Sequence, residues 1–159
     1  MSTTDPDSGI SVTLPGQPTI IKNTGTVDGK SIPTRTYARK FTKPNGAAAF
    51  VVMDVPAGAG PLDYDEVMKG FIQGFASASG TKASMTSTRR FDLDGHPAAD
   101  GRFTFTADKG DSGVGFIRIV SDGNHVVMIE TTGEARKEPT LTRIHQKMVN
   151  TLELSGSHQ

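Results

Sequence analysis

Phe91-Asp92-Leu93-Asp94-Gly95-His96-Pro97-Ala98-Ala99-Asp100-Gly101-Arg102-Phe103-Thr104-Phe105 reads as two extended runs joined by Asp-Gly, the dipeptide that a two-residue hairpin turn favours. The pattern then repeats. Residues 85–93, 96–107, 114–121 and 124–132 are predicted as strands, separated by Asp94-Gly95, by Lys109-Gly110-Asp111-Ser112-Gly113 and by Asp122-Gly123. Connections this short cannot carry a parallel crossover, so successive strands must be antiparallel neighbours. Phe103 with Phe105, and Phe116 with Arg118 and Val120, keep the period of two expected of a sheet with two unlike faces. This half of the chain is a four-stranded meander.

On both sides of the meander the period changes. Upstream, Val67, Met68, Phe71, Ile72 and Phe75 form a stripe at helical spacing, Asp63 stands before it as an N-cap with Glu66 three residues on, and Gly80 stands at its end. Gly70 and Gly74 lower the helix propensity; close packing of the helix on a sheet, with Phe71 and Phe75 buried, is the expected compensation. Downstream, Glu138-Pro139 opens a second helix with Leu141, Ile144, Met148 and Leu152 on one side. Ahead of the first helix, Ile10-Ser11-Val12-Thr13-Leu14 alternates and stops at Pro15-Gly16, and residues 19–27 and 32–42 are extended runs flanking Asp28-Gly29. After Pro44-Asn45-Gly46, residues 47–55 are a nearly continuous apolar run, as in a strand covered on both faces. The order ββββ-α-ββββ-α gives an α+β domain, an antiparallel sheet flanked by helices.

The chain of 159 residues suits one domain, read as residues 10–154, between a flexible tail (1–9) and a disordered end (155–159). Ser2 to Gly9 hold no large apolar side chain and so have nothing to bury. Seventeen basic side chains balance seventeen acidic ones, which removes the electrostatic case for a nucleic-acid surface. No apolar run approaches the roughly 18 residues of a membrane span. Cysteine is absent, which excludes disulfides, thiolate zinc sites and a cysteine nucleophile within the chain.

The stretch from Phe91 to Phe103 resembles the strand–turn–strand of bacterial PsbP-like domains, and Ile119-Val120-Ser121-Asp122-Gly123-Asn124-His125-Val126-Val127 is similar to their next hairpin. Val149-Asn150-Thr151-Leu152-Glu153-Leu154 resembles their closing helix, and Ile10-Ser11-Val12-Thr13-Leu14-Pro15-Gly16-Gln17-Pro18 their opening strand. The likeness covers nearly all of residues 9 to 154 and rests mostly on turn chemistry and strand alternation. It implies an α/β/α sandwich, shared by the photosystem II protein PsbP, a small-GTPase-binding nuclear transport factor (Mog) and many bacterial envelope lipoproteins. It also implies a mostly non-enzymatic protein that binds partners or stabilises assemblies, and it carries over no catalytic residue, cofactor or metal. The expected function is a non-catalytic binding or assembly module of a bacterial envelope, its partner a protein or an envelope ligand. The Ser/Thr/Asp-rich start fits a secreted or lipid-anchored chain whose signal or lipobox cysteine stood upstream of Met1. A cytoplasmic adaptor or chaperone of the same fold is the alternative.

Two groups of residues stand out for chemistry. His96 and His125 each closely follow an Asp-Gly turn, and the first and third turns of a meander lie at one end, so Asp94, His96, Asp122 and His125 share a rim. Imidazole with carboxylate suits zinc or a general base, the basis of a third reading as a metal-dependent enzyme. Turn chemistry explains both aspartates, however, and strands two apart stand about 10 Å from each other, so no metal or catalytic site is expected. Arg35, Tyr37 and Arg39 share one face of a strand, and Gly58 and Gly60 lie in the Gly/Ala/Pro-rich connection 57–62. These five are the expected partner-binding residues: planar side chains on a solvated sheet face, beside a loop free to rearrange.

Overall fold

The computed structural model describes residues 2–27, 30–42, 45–55, 63–107, 110, 112–123 and 125–154. The expectations placed on Asp28-Gly29, on Pro44, on connection 57–62 with Gly58 and Gly60, on Lys109 and Asp111, and on residues 155–159 lie outside these. The strands are β1 (Ser2–Thr4), β2 (Ser11–Thr13), β3 (Thr19–Val27), β4 (Lys30–Thr42), β5 (Asn45–Asp54), β6 (Thr81–Leu93), β7 (His96–Ala107), β8 (Ser112–Asp122) and β9 (His125–Glu134). Helix α1 (Tyr64–Ser79) follows β5, and α2 (Glu138–Thr151) follows β9 after a 3-10 turn at Ala135–Lys137.

Seven strands form one antiparallel sheet in the order β3-β4-β5-β9-β8-β7-β6. The predicted meander is therefore its right half, β6 to β9, and the strands before α1 supply the left half. Alternation decides which residue meets which helix. Val127 and Ile129 of β9 join Phe50, Val52, Ala98 and Val120 in the core under α2, where Met148, Val149 and Leu154 close it. Val126 and Met128 turn the other way and join Met53, Ala99, Ile117 and Ile119 under Met68 and Ile72 of α1. The sheet lies between the helices, each burying one apolar stripe.

Local chemistry sets the boundaries. The Asp63 carboxylate accepts from the backbone N–H groups of Asp65 (3.0 Å) and Glu66 (3.3 Å), and Gly80 ends α1 in the left-handed region. Asp94 and Gly95 both have positive φ, the geometry of a type I′ turn. The turn expected at Asp122-Gly123 is shifted by one residue, because Asp122 still belongs to β8 and pairs with His125. Pro33 lies just outside the part of β4 that pairs with β5, where its missing N–H costs no ladder bond on that side.

Three expectations change. Gly70 and Gly74 face solvent with nothing within 4 Å of where a Cβ would stand, so they do not mediate helix–sheet contact. The close approach is on the sheet instead: a Cβ on Gly115 would lie 2.2 Å from the Phe103 ring, which covers that glycine. Phe71 and Phe75 are half-buried, stacked edge-on against the fully buried Phe103. The run at residues 10–14 does not enter the main sheet; β2 pairs with β1 in a separate two-stranded ribbon on the α2 side. Residues 2–9 are accordingly not a loose tail. Ser2–Thr4 pairs with Ser11–Thr13, Ser11 and Glu153 exchange backbone hydrogen bonds (3.0 and 2.9 Å), and Asp5 is 0 % exposed. An apolar inventory could not foresee this, since what the segment buries is a charge.

Candidate functional site

On the α2 face, every central strand runs from apolar to ionisable at the same end. Phe50 and Val52 of β5 are followed on that face by Asp54, and Ile129 and Val127 of β9 by His125. Val120 of β8 is followed by Asp122, and Ala98 of β7 is preceded by His96. Ladder register sets these side by side, Asp54 opposite His125 and His125 opposite Asp122. His125 Nε2 is 3.5 Å from Asp54 Oδ1, and His96 Nδ1 is 3.9 Å from Asp122 Oδ1. A row of alternating carboxylate and imidazole thus crosses four strands, with both imidazoles about a quarter to a third exposed.

Arg35 of β4 anchors the left end of the row. Its guanidinium donates to both oxygens of Asp54 (2.7 and 2.9 Å) and, from Nε and Nη2, to both oxygens of Asp5 (2.7 and 2.9 Å). Asp5 also accepts from the Tyr37 hydroxyl (2.5 Å) and from the hydroxyl and backbone N–H of Ser8. Planar bidentate pairing of this kind is the strong form of the ion pair. Burial by itself would raise the Asp5 carboxyl, but hydrogen bonds from Arg35, Ser8 and Tyr37 more than offset it and hold the group down to about 2. The Arg35 hydrogen bonds likewise lower Asp54, and burial followed by the Asp5 carboxylate raises Tyr37. The N-terminal segment is thereby strapped across the sheet end by one carboxylate.

The structure joins what the sequence kept apart. Arg35 and His125 share Asp54, so the arginine face and the histidine rim are one row. The expected open binding face does not exist: Arg35 and Tyr37 are 6 % and 3 % exposed beneath the strap. Arg39 alone of the three is exposed, and it reaches the Gln17 carbonyl at 3.3 Å. Asp5, Ser8 and Asp54 were missed. Asp5-Pro6-Asp7-Ser8 is itself a turn signal, with a carboxylate placed to accept from the residue three ahead.

The row offers a hydrogen-bonding surface and, among the described residues, no hydroxyl nucleophile beside it. His96 Nδ1 donates to the Ser121 carbonyl (3.1 Å), whereas the Ser121 hydroxyl belongs to the opposite face of the sheet, bonded to the Tyr64 hydroxyl. The buried imidazole of His145 meets the Thr131 hydroxyl at 3.0 Å and lies under α2; burial pushes its pKa down to about 4. Among the described residues, no three His, Cys, Asp or Glu side chains are grouped to hold a metal ion. A cleft of about 870 Å³ opens near Phe75, Phe105, Lys40 and Thr132. Its floor is on the α1 face, away from the row, and its charges are Lys40 and the exposed Arg136–Glu134 pair.

No family model and no curated protein matches the sequence. Solved structures do match. The solution structure of cyanobacterial PsbP (CyanoP) from Synechocystis sp. PCC 6803 is similar with a TM-score of 0.67, at 10% identity, over 97% of this chain and 91% of that one. The Saccharomyces cerevisiae Ran-binding protein Mog1p is similar with a TM-score of 0.53, at 12% identity, over 98% of this chain and 95% of that one. Identities this low speak for the fold alone. With its antiparallel sheet between two helices, this chain has the PsbP/Mog1-like fold.

Proposed function

We propose that the protein is a non-catalytic binding module that presents the His96/Asp122/His125/Asp54 rim, bordered by the N-terminal strap, to a protein partner in the envelope of a bacterium. One observation carries the reading: each described ionisable group of the row is committed to a partner across the strands, and the one hydroxyl on the adjoining backbone, that of Ser121, belongs to the other face. Such an arrangement holds a surface in shape and supplies no nucleophile–base pair. The two partly exposed imidazoles offer hydrogen bonds to a docking segment. Envelope placement rests on the resemblance of the Phe91–Phe103 and Ile119–Val127 hairpins to envelope lipoproteins. The name of the Mog1p neighbour, a Ran-binding protein, favours a second reading, a cytoplasmic adaptor for a small GTPase.

The test is in-cell cross-linking of the chain expressed from its native reading frame, followed by separation of envelope and cytosol. The proposal expects cross-linked partners in the envelope fraction, and their loss on His96→Ala/His125→Ala with the fold intact by circular dichroism. Partners found only in the cytosol would establish the adaptor reading. Hydrolysis of an ester or phosphoester panel that disappears with the same double substitution would overturn both.

A further inference from the structure

The two edges of the seven-stranded sheet are unlike. At one edge, β6 carries Lys82, Arg89, Arg90 and Asp92, and its ladder with β7 is broken by a bulge between Met85 and Ser87. Arg90 reaches Asp65 of α1 at 3.3 Å, so charge and helix both guard that side. These are the devices by which proteins keep an edge strand from pairing with another chain. At the other edge, β3 (Thr19-Ile20-Ile21-Lys22-Asn23-Thr24-Gly25-Thr26-Val27) pairs with β4 in unbroken register over nine residues. It contains one charge and no proline. Its Ile20 and Ile21 are the exposed large hydrophobic residues among the described ones, 56 % and 49 % accessible, one on each face of the sheet. An edge this long and regular, with two exposed isoleucines and a single charge, is a template for another strand.

We propose that β3 is a homodimer interface, pairing antiparallel with β3 of a second copy about a two-fold axis at Ile21, so that two seven-stranded sheets join into one. A two-fold axis perpendicular to the sheet keeps faces matched, so only residues of equal parity can stand opposite each other. Centring on Ile21 sets it against the second copy's Ile21 on the α1 face and sets Ile20 against the second copy's Lys22 on the α2 face. The lysine stem then lies along an isoleucine while its ammonium stays in water. Centring one residue further on would set Lys22 against Lys22, with like charges directly opposed. Because the β6 edge is guarded, association through β3 closes at two copies and does not grow into a filament. A strand pair of this size is at the small end of interfaces, so the dimer is a weak, concentration-dependent one.

Sedimentation velocity between about 1 µM and 0.5 mM reads the association directly, a range suited to small interfaces. The expected result is a monomer–dimer equilibrium whose dissociation constant rises at least about tenfold in Ile21→Lys, which opposes two lysines across the axis. The chain has no cysteine, so Ile21→Cys gives a single thiol per protomer. With copper phenanthroline as oxidant it should cross-link about tenfold faster than Thr24→Cys, because only residue 21 stands opposite itself. A chain that stays monomeric to the top of the range overturns the proposal, even if β3 pairs with a strand of another protein. So does a dimer indifferent to Ile21→Lys, or equal cross-linking at the two cysteines.

Discussion

Removing the Asp5 carboxylate tests whether the strap is part of the folded domain. In Asp5→Ala, Arg35 keeps its two bonds to Asp54 but loses two others, and the Tyr37 and Ser8 hydroxyls lose their buried acceptor. Breaking a buried ion pair costs about 3–5 kcal/mol, and the surviving Asp54 contact puts this case near the lower figure, about 3 kcal/mol. The charge-linked share follows separately. A carboxyl held at about 2 against an ordinary value of 3.8 contributes about 2 kcal/mol. Because the folded value is the lower one, that contribution is complete above about pH 4 and disappears as the pH falls through 2. Urea unfolding followed by far-ultraviolet circular dichroism at pH 7 and again near pH 2.5 reads both quantities. Wild type and variant should differ by about 3 kcal/mol at pH 7 and by only about 1–2 kcal/mol near pH 2.5. Tyr37→Phe should add little once Asp5 is gone, since the two residues share one bond. A loss below about 1 kcal/mol at pH 7, with the two pH profiles parallel, would mean that residues 2–9 are detached in solution and the clamp does not form.

Glu130→Gln should stabilise the protein in alkali: one carboxyl oxygen of Glu130 is shut from solvent without a partner, and burial pushes the group up to about 8 from 4.5. The folded state holds that proton while the unfolded state releases it, so wild-type stability declines as pH rises from 4.5 to 8, and the variant should gain up to about 5 kcal/mol at pH 8.5 and nothing at pH 4, measured by thermal melts. Gly74→Ala, at an open helix position, should raise stability by about 1 kcal/mol in urea unfolding. Gly115→Ala drives a Cβ into the Phe103 ring and should cost about 2 kcal/mol by the same measurement.

Much of the fold was legible because turns and periods agree. Asp94-Gly95 and Gly80 mark their boundaries by positive φ, and the stripe through Met68 and Ile72 lies on the buried side of α1. What failed was long-range. That Ile10–Leu14 would leave the main sheet for a ribbon beside α2 depends on Glu153, some 140 positions away, and no local pattern encodes such a partner. The candidate site was half legible for the same reason. Arg35, Tyr37, His96 and His125 were each singled out by type, but Asp54, which joins Arg35 to His125, lies in a run read only as a nearly continuous apolar strand. Burial of Arg35 and Tyr37 could not be read from their own strand, because it comes from eight polar residues that looked like a tail.

The order of strands has a consequence for how the chain is made. In the seven-stranded sheet every ladder but one joins strands that follow each other in sequence; the exception is β5–β9, which sets Gly46 opposite Gly133 and Asp54 opposite His125. Two local meanders can therefore form quickly and must then find each other across one long loop closure, the slow step that contact order measures. Until β9 has been synthesised, Ala47-Ala48-Ala49-Phe50-Val51-Val52-Met53 has no partner on one side, and this is the most apolar strand in the molecule. A nascent or translocating chain carries that run unpaired for some seventy residues of elongation, from the end of β5 to the start of β9. During that interval it is a client for any holding chaperone that binds extended apolar segments.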